Sequence, residues 1–474
     1  MTWRRAEMAE VAWVQVLDSS GQTRWTGDEA GLPEFLARFS AGNSGTARLA
    51  GTAMGSCTHN EVTELAEQLG FISRRGTPKG FVTTLPPGSL IDESVAQFNR
   101  GHMARLRANR VDFPLVFATD DAEMGALVSA YEQQGRMFRF DERDPSLRLS
   151  YAADPNLFAW LRHTRADPSR LPYTIISPQP IFRRFQSGEL SLDRARQYHV
   201  SDVHTLCPAD RAAEVFRDIV GHAAKAMEFW FGDDYCQIVD AVTGTEFDCA
   251  ETYEALSKSV PGVTIVRHLA ARSRYYAIKG GLYVDAGFGT VMLFNFQLDD
   301  TNPGRFDIRL DDDGPMAVIH STLAAGVPKL LPITLGRGLA GVGPRALPPE
   351  LARHQLVLVP VREHHRSGAD ELAATLRTSG LRVTVDAHLN RSLGHRLAAL
   401  RSAWQPLFAV VGDRELAGEP LTLDGPQADD RPTLSGYLAA NRERLQRCAP
   451  TVESDWTDPP FHALAKTRKD GYSG

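Results

Sequence analysis

Hydrophobic and polar residues follow two different periods along this chain of 474 residues. Helical spacing is clearest in PADRAAEVFRDIVGHAAKAMEFWF, where apolar residues recur every three or four positions. This pattern predicts a long amphipathic helix with Pro208 in its first turn. Strict alternation in VMLFNFQL instead puts four apolar residues on one face of a strand and Asn295 and Gln297 on the other. The chain therefore combines helices with strands that have one buried face.

The arrangement of these elements changes near residue 353. From about 56 to 345, strands are mixed with a few helices, which are predicted in TELAEQLGFI and SLIDESVAQFNRGHMARLRAN, and Pro114 opens a predicted strand in FPLVFA. From 353 to 450, QLVLVPV, LRVTVD and LFAVVG predict strands that alternate with helices in ADELAATLRTSG and SLGHRLAALRSAW. Such alternation predicts a small parallel α/β domain.

Two segments lie outside these units. Residues 1–55 form an N-terminal segment without an assigned domain, in which WVQVLD is compatible with a strand and LPEFLARF with a short helix. Residues 451–474 are polar, and we expect a flexible tail there. The Pro- and Gly-rich stretch GVGPRALPPE is the predicted linker between the two units.

Composition and charge restrict the classes of protein that fit. A net charge of -6 and a pI near 6.2 give no general basic field, so binding of nucleic acid would need a local basic patch. Five cysteines without CxxC spacing indicate reduced thiols of a cytosolic protein. The sequence has no recognisable signal peptide and no apolar run of about 18 residues. We therefore expect a soluble cytoplasmic protein without a membrane partner.

The stretch IFRRFQSGELSLDRARQYHVSDVHTLC carries the most distinctive chemistry. It predicts a strand that contains Arg183, a turn, and a second strand. The period of two puts five polar side chains of the second strand on one face: Arg194, Arg196, Tyr198, Asp202 and His204. Inward-facing arginines are costly unless an anion meets them. The pattern predicts a site for a nucleotide triphosphate and a metal on an antiparallel sheet.

Five segments, in the same order, resemble those of class II aminoacyl-tRNA synthetases, most closely threonyl-tRNA synthetase. The arginine-rich stretch resembles the family's motif 2, and Pro114 in VDFPLVF resembles its motif 1 proline. RYYAIKGGLYVD is similar to "FYGPKIDF", NFQLDD to "TIQLDF" and PMAVIH to "PVMIH". The resemblance runs from about 56 to 445 and implies an α+β protein. It would have an antiparallel-sheet catalytic domain, an anticodon-binding-like α/β domain, and a homodimer formed through motif 1.

The resemblance implies which residues meet ATP. Arg183 corresponds to the arginine that holds the α-phosphate, Arg194 to a second arginine from the returning strand, and Lys279 to the lysine of "GPK". Phe185 replaces the glutamate that meets the adenine amino group, and its ring could stack on a base. The motif 3 arginine has no match, and Lys329 stands at its aligned position. Arg183 and Arg194 could instead form structural ion pairs with two nearby acids, Asp193 and Glu189.

The same resemblance implies a substrate pocket and a metal. The expected substrate contacts are Tyr276, Asp202 and Gln297, and Gln297 is also expected at the cofactor. The family holds zinc with two histidines and a cysteine, which correspond to His204, His320 and Asp154 here. An Asp–His–His set can bind zinc or another divalent ion with positions left open for substrate. Asp154 could instead shape a turn in DPN, and we expect His364 and His365 to be solvated rather than ligands.

Two departures from the family concern RNA. The residues before 56 leave no room for the family's editing domain. The family's terminal strand carries arginines that read the anticodon, but here it reads LTLDGPQADD, with Asp424 in place of an arginine. Base recognition and phosphate binding rely on basic and amide side chains. An acidic strand on an acidic protein argues against anticodon recognition, so we do not expect firm tRNA binding.

The resemblance thus implies an ATP-dependent aminoacyl ligase with Mg²⁺ and a zinc site. The first hypothesis is an enzyme that activates a small hydroxy amino acid outside translation and transfers it to an acceptor other than full tRNA. The second is an editing-free threonyl-tRNA synthetase. The third is a catalytically dead synthetase-like binding or regulatory protein. Phe185, the missing motif 3 arginine and the missing cysteine favour it, and the retained charged residues oppose it.

Overall fold

A computed structural model describes residues 10–39, 57–272, 275–428 and 432–449. Its strands are β1 (Val11–Leu17), β2 (Thr23–Gly27), β3 (Ile72–Ser73), β4 (Thr83–Thr84), β5 (Asn109–Arg110), β6 (Val116–Ala118), β7 (Leu147–Leu149), β8 (Arg165–Ala166), β9 (Tyr173–Phe182), β10 (Gln197–Pro208), β11 (Cys236–Val242), β12 (Thr264–Leu269), β13 (Tyr276–Asp285), β14 (Thr290–Asp299), β15 (Arg309–Leu310), β16 (Met316–Thr322), β17 (Leu356–Pro360), β18 (Val383–Val385) and β19 (Leu407–Val411). Its helices are α1 (Leu32–Phe39), α2 (His59–Gln68), α3 (Pro86–Ala104), α4 (Ala122–Gln133), α5 (Asp154–Leu161), α6 (Ala212–Phe231), α7 (Ala250–Ser257), α8 (Asn302–Arg305), α9 (Leu331–Leu339), α10 (Arg366–Thr378), α11 (Leu393–Ser402), α12 (Asp413–Leu416) and α13 (Leu434–Arg447).

Ten strands form one large sheet in the order β2-β1-β12-β11-β13-β14-β16-β10-β9-β5. Two of its neighbouring pairs are parallel, β11 with β12 and β5 with β9, and the others are antiparallel. Helix α6 lies against β10, β13, β14 and β16. There Phe216 meets the edge of Phe296 at 5.6 Å between ring centroids. Because α6 covers this back face, the front face of the same strands is left for a site. The α+β architecture predicted from the sequence is confirmed.

The strand register brings polar residues into one row on the front face. Residues that pair directly across neighbouring strands point to the same face of a sheet. The pairing carries this row across six strands, through His204, His320, Gln297, Lys279, Asp240 and Arg267. On the back face of β13, Gly280 lies opposite Phe296. A Cβ at Gly280 would come within 2.0 Å of the phenyl ring, so this strand approaches the core too closely for any side chain at that position.

The N-terminal segment forms one edge of the large sheet. Strand β1 pairs antiparallel with β12, and β2 pairs with β1. The fully buried Val14 and Val16 share an apolar cluster with Leu36 of α1 and with Ile265 of β12. The predicted strand in WVQVLD and the predicted helix in LPEFLARF are both confirmed. This segment therefore contributes to the same sheet as the candidate site.

The C-terminal part has a parallel sheet of its own in the order β18-β17-β19. Helices α10 and α11 alternate with these strands, as the sequence predicts. Helix α13 then returns to α6: Arg444 donates from Nη1 to the carbonyl of Phe229 at 2.6 Å and pairs with Glu350 of the linker. The last described helix therefore joins the two parts of the molecule.

Four local predictions are wrong. Strand β9 ends at Phe182, so Arg183 follows the strand and does not lie in it. Pro208 is the last residue of β10, and a short 3-10 turn, Ala209–Arg211, separates it from α6. Strand β10 begins only at Gln197, so Arg194 belongs to the 3-10 turn Leu192–Arg194 and not to the strand. Arg196 precedes the strand and donates to the carbonyls of Phe185 and Lys79, which fixes the motif 2 loop. The expected flexible tail, 451–474, lies outside the described residues. Among the residues that are described, no helix is long and apolar enough to cross a membrane.

Candidate active site on the front face of the sheet

Asp154, His204 and His320 meet on the front face of the large sheet. His204 and His320 are direct cross-strand partners on β10 and β16, and Asp154 begins α5 above them. His320 Nδ1 lies 2.9 Å from His204 Nε2, and these nitrogens lie 3.8 and 3.6 Å from Asp154 Oδ1. A tetrahedral metal with bonds of about 2.0–2.2 Å separates its ligand atoms by about 3.3–3.6 Å. The three measured distances lie on both sides of this range, so shifts of about half an ångström would place the three side chains around one divalent ion.

Asp202 sets the position of Asp154. Its Oδ2 accepts a hydrogen bond from the backbone N–H of Ala153 at 3.0 Å, immediately before α5 begins. Asp202 itself is buried on β10, two residues from His204. The sequence suggested Asp202 as a substrate contact and did not predict this positioning role. Helix α5 also corrects the alternative for Asp154, which lies in a helical first turn and is buried.

Burial and charge shift the pKa values of His320 and Asp154. Burial lowers the pKa of His320, and Asp154 only partly opposes this effect. Burial alone would raise the pKa of Asp154, but the charge of His320 and the hydrogen bond from His204 hold that pKa well below its usual range. A neutral imidazole and an ionised carboxylate are the forms that bind metals.

Arg183 lies among aromatic rings beside this cluster. Its guanidinium carbon is 5.8 Å from the ring centre of Tyr131 and 5.9 Å from that of Tyr198, and Nε donates to the carbonyl of Tyr151 at 3.1 Å. Burial opposes its charge, but the phenol groups and Asp202 raise the pKa of Arg183. The guanidinium is therefore a fixed cation held by rings and a carbonyl.

Two further cations lie toward the edge of the site. Arg194 is exposed and lines a cavity of about 350 Å³. Lys329 occupies the turn Gly326–Leu330 before α9, where burial lowers its pKa, Asp193 opposes the shift, and the charges of Arg194 and Arg183 add to it. The position aligned with the motif 3 arginine therefore keeps a positive charge near the two motif 2 arginines.

The acids suggested as structural partners of these arginines pair with other residues. Glu189 accepts from Arg136 at 3.2 Å, and Asp193 lies 3.3 Å from His59. Neither Arg183 nor Arg194 forms an ion pair in the part of the chain that the structure describes. This arrangement favours an anion site over internal salt bridges.

The remaining predicted residues divide into two groups. Lys279 and Gln297 lie beside His320 in the polar row, and Lys279 Nζ is 5.6 Å from the ring centre of Tyr276. Phe185 is only 7% exposed and packs under Arg136, 5.5 Å from its guanidinium carbon. Little of the Phe185 ring is thus left to stack on a base.

Sequence reasoning missed the aromatic wall of the site. Tyr131 and Tyr151 stack at 4.1 Å between centroids, and both lie near Arg183. Burial raises the pKa of Tyr275 well above its usual value, and the negative charge of Asp154 adds to this effect. The tyrosines come from separate loops and helices, so no spacing in the sequence connects them.

A second histidine cluster lies in the C-terminal part, where His364, His365 and Asp413 come together. His364 is exposed as expected, but His365 is buried, which corrects the expectation that both are solvated. Its Nδ1 accepts the backbone N–H of Arg362 at 3.2 Å, and its Nε2 lies 3.0 Å from Asp413 Oδ1. Because Nδ1 accepts a hydrogen bond, the ring N–H lies on Nε2 and donates a hydrogen bond to Asp413. Nε2 therefore has no free lone pair with which to bind a metal.

Comparisons with known proteins show which proteins this chain resembles in sequence and fold. Residues 355–428 match the family model described as an anticodon binding domain. Over 402 residues the chain is 24% identical to the threonine–tRNA ligase of Methanosphaerula palustris, a match that covers 82% of this chain and 64% of that relative. The crystal structure of the RNA binding domain of threonyl-tRNA synthetase from Cryptosporidium parvum superimposes with a TM-score of 0.65 at 18% identity, over 82% of this chain and 98% of that one.

Prolyl-tRNA synthetase from the same organism, complexed with L-proline and AMP, superimposes with a TM-score of 0.60 at 13% identity, covering 82% of this chain and 79% of that one. Both likenesses show the fold, which is that of class II aminoacyl-tRNA synthetases, and the matched family model adds an anticodon-binding domain. Within that class the chain is threonyl-tRNA synthetase-like in sequence. It spans between 55% and 64% of the length of the first curated relatives that it matches.

Proposed function

We propose that this protein activates a small hydroxy amino acid with ATP, forming an aminoacyl adenylate and pyrophosphate. The observation that carries the proposal is the cluster of Arg183, Arg194 and Lys329 beside Asp154, His204 and His320 in one site. The first group suits a polyphosphate and the second a divalent ion. The threonine–tRNA ligase relatives supply the reaction type.

The positive side chains would stabilise the charge that develops during adenylate formation. Attack of the amino acid carboxylate on the α-phosphate builds negative charge on the phosphoryl oxygens, and fixed cations at that point often contribute several kcal/mol. Arg183 is suited to this role because its rings and its bond to the Tyr151 carbonyl already fix its orientation. Mg²⁺ bound to ATP would share the charge.

Zinc, or another divalent ion, fits the donor set of Asp154, His204 and His320. When bound, the ion would offer open positions to the amine and hydroxyl of the substrate. A site that binds a hydroxyl directly rejects an isosteric methyl far better than an apolar pocket does. Asp202 would keep the carboxylate of Asp154 aimed at the two imidazoles through the start of α5.

Amino-acid-dependent exchange of pyrophosphate into ATP tests the activity. We expect exchange with threonine or serine, weaker exchange with valine, and a loss of at least a hundredfold in Arg183→Ala. Absence of exchange with threonine, serine and related hydroxy amino acids would leave a binding or regulatory protein as the better description.

Metal content by mass spectrometry tests the ion site separately. His204→Ala and Asp154→Ala should both lose the metal, and Asp154→Cys should retain zinc because thiolate is a strong zinc ligand. Loss in His204→Ala but not in Asp154→Ala would remove Asp154 from the ligand set.

We further propose an acyl acceptor other than a full tRNA. Residues 355–428 contain eight arginines, no lysine and eight acidic residues, so this domain lacks the excess of positive charge that phosphate binding uses. Asp424 is itself paired with Arg401 at 3.2 Å. Gel-shift experiments with tRNA should show weak binding, and tight salt-sensitive binding would favour tRNA charging.

We also propose a cytoplasmic homodimer. The five cysteines are all free thiols, which suits a reducing compartment. Pro114, which resembles the motif 1 proline, lies between β5 and β6, in the stretch that follows α3. Light scattering should give twice the mass of one chain. A monomeric mass at micromolar concentration would contradict this part of the proposal.

A further inference from the structure

A cavity of about 400 Å³ lies on the back of the large sheet, between α3 and strands β9 and β10. Pro178 and Ser201 are cross-strand partners that line it. Because they are neighbours in sequence of Ser177 and Asp202, they point to the face opposite the histidine cluster. The segment 324–326, between β16 and the turn that contains Lys329, closes one side. This cavity is therefore separate from the candidate active site.

The charged groups that line this cavity are acidic. Asp92 and Glu93 of α3 contribute carboxylates, whereas no lysine or arginine is among the described lining residues. Neither acid forms an ion pair within the described part of the chain, and Glu93 Oε2 is buried without a hydrogen-bond partner there. His199 also lines the cavity, and burial lowers its pKa, so it adds no fixed positive charge near pH 7.

Asn99 supplies an independent acceptor. It is 3% exposed, and its Nδ2 donates to the carbonyl of Ala324 at 2.8 Å. That bond fixes the orientation of the amide and leaves Oδ1, which is buried and has no partner among the described residues. Asn99 lines the cavity, so a third oxygen acceptor joins the two carboxylates. Three oxygen acceptors in a cavity whose lining has no lysine or arginine are the complement of a cation rich in N–H.

The unmatched acids are costly in the free protein. Burial raises the pKa of Asp92 to about 6 and also raises that of Glu93, with only Arg100 opposing the latter shift. A partly buried carboxylate without a cation is costly for a fold to retain. Among the described residues, only the backbone N–H of Val327 donates to Asp92, and Glu93 Oε2 has no donor. A cation that reached both oxygens would remove this cost.

We propose that this cavity binds an ammonium or guanidinium group, whose N–H donors meet Asp92, Glu93 and Asn99. The cavity has the volume of a small-molecule site and is large for a bare metal ion. No third His, Cys, Asp or Glu joins the two acids at metal-ligand distance in the described ranges. The organic cation can come from a free amine or from a side chain of a second copy of this chain.

A cation bound in the cavity would stabilise the turn that contains Lys329. Asp92 Oδ1 accepts the backbone N–H of Val327 at 2.8 Å, two residues before Lys329. Gly326 packs so closely on Asp92 that an added Cβ would come within 2.4 Å of Oδ1. A cation that keeps Asp92 ionised strengthens its bond to Val327 and holds the turn. This consequence, unlike the binding itself, rests on the proposed function.

Calorimetry with agmatine, which carries one guanidinium and one ammonium group, tests the binding without ATP or amino acid. The wild type should bind one molecule per chain. Asp92→Asn and Glu93→Gln should each weaken binding at least tenfold, and the matched exposed variant Glu64→Gln of α2 should not. Glu93→Gln removes no hydrogen bond of the fold, so it remains informative if Asp92→Asn is unstable.

Analytical ultracentrifugation tests whether the cation comes from a second copy of this chain. If a neighbouring copy supplies the cation, the wild type is a dimer that excludes agmatine, and both cavity variants raise its dissociation constant at least tenfold. The proposal is overturned if the cavity variants and Glu64→Gln have equal agmatine affinity and equal dimer affinity. Because no catalytic step is measured, this result is independent of the outcome of pyrophosphate exchange.

Discussion

Individual buried side chains in this protein take the protonation state that their surroundings allow. His102 of α3 is 7% exposed, lies against Phe98, and meets His222 edge-on at 5.9 Å between ring centroids. Its Nε2 has no partner in the described structure. Burial, the charge of His222 and that of Arg105 lower the pKa of His102 to about 4. The folded protein thus holds this imidazole neutral well below the pH at which an unfolded chain protonates it.

His102→Phe should therefore reduce the pH dependence of stability. A depressed histidine pKa contributes stability that is present above the unfolded pKa of about 6.5 and is lost as the pH falls toward 4. Between pH 7 and pH 5 the wild type should lose about 2 kcal/mol of unfolding free energy through His102, and the variant should lose that much less. Urea unfolding at both pH values measures the difference. If both proteins lost the same unfolding free energy between pH 7 and pH 5, folding would not lower the pKa of His102.

Gly280→Ala should destabilise the protein because the new methyl group meets the ring of Phe296. Overpacking of this kind costs about 1–3 kcal/mol. Gly101→Ala is the matched control, since it lies in α3 with nothing within 4 Å of an added Cβ and should stabilise the helix by up to about 1 kcal/mol. Thermal unfolding should move the two melting temperatures in opposite directions. A neutral Gly280→Ala would mean that Phe296 can shift.

Secondary-structure elements show which parts of the fold a sequence can reveal. WVQVLD was predictable as a strand from its alternation, but its partner β12 lies some 250 residues away, and no local pattern identifies such a pairing. The second strand of the motif 2 stretch is predicted to begin too early, because polar side chains alternate from Arg194 through Arg196 to Tyr198. The 3-10 turn Leu192–Arg194, in which Ser191 bonds to Asp193, ends that alternation before β10.

Val14→Ala should weaken the whole large sheet, since β1 is one of its strands. Val14 is fully buried in the cluster that joins β1, α1 and β12, and truncation should cost about 2–3 kcal/mol. Val11→Ala, at the half-buried start of the same strand, should cost less than about 1 kcal/mol. Both losses should appear in the main unfolding transition. A separate early transition in Val14→Ala would indicate that the N-terminal strands fold on their own.

The molecule as a whole joins two units that the sequence separates. The order of the two units is predictable from the change in sequence pattern near residue 353. The cluster of Asp154, His204 and His320 is predictable only from the family resemblance, because these residues are far apart in the chain. Contacts between the units had no such signal. Arg444, which joins α13 to Phe229 and to Glu350, is one of many exposed-looking arginines in the sequence.

Arg444→Met should separate the unfolding of the two units. The change leaves Glu350, which is 1% exposed, without its positive partner, and an unpaired buried charge of this kind costs about 3 kcal/mol. Arg442→Met, on the exposed side of the same helix, is the control and should be neutral. Calorimetry should resolve two transitions in Arg444→Met where Arg442→Met keeps the wild-type profile. A single unchanged transition in both would show that other contacts hold the units together.

Lysine is scarce in this chain. The positions of the lysines matter because the proposed aminoacyl adenylate is a mixed anhydride, which amines attack. The described residues contain Lys79, Lys225, Lys258, Lys279 and Lys329. Two of these five amines border the candidate site, and burial makes one of them, Lys329, easier to deprotonate. An aminoacyl adenylate formed at this site would have these two amines as the nearest lysine nucleophiles among the described residues. Peptide mass spectrometry should then find aminoacylation confined to those two lysines. The mass of the added group would identify the amino acid that was activated.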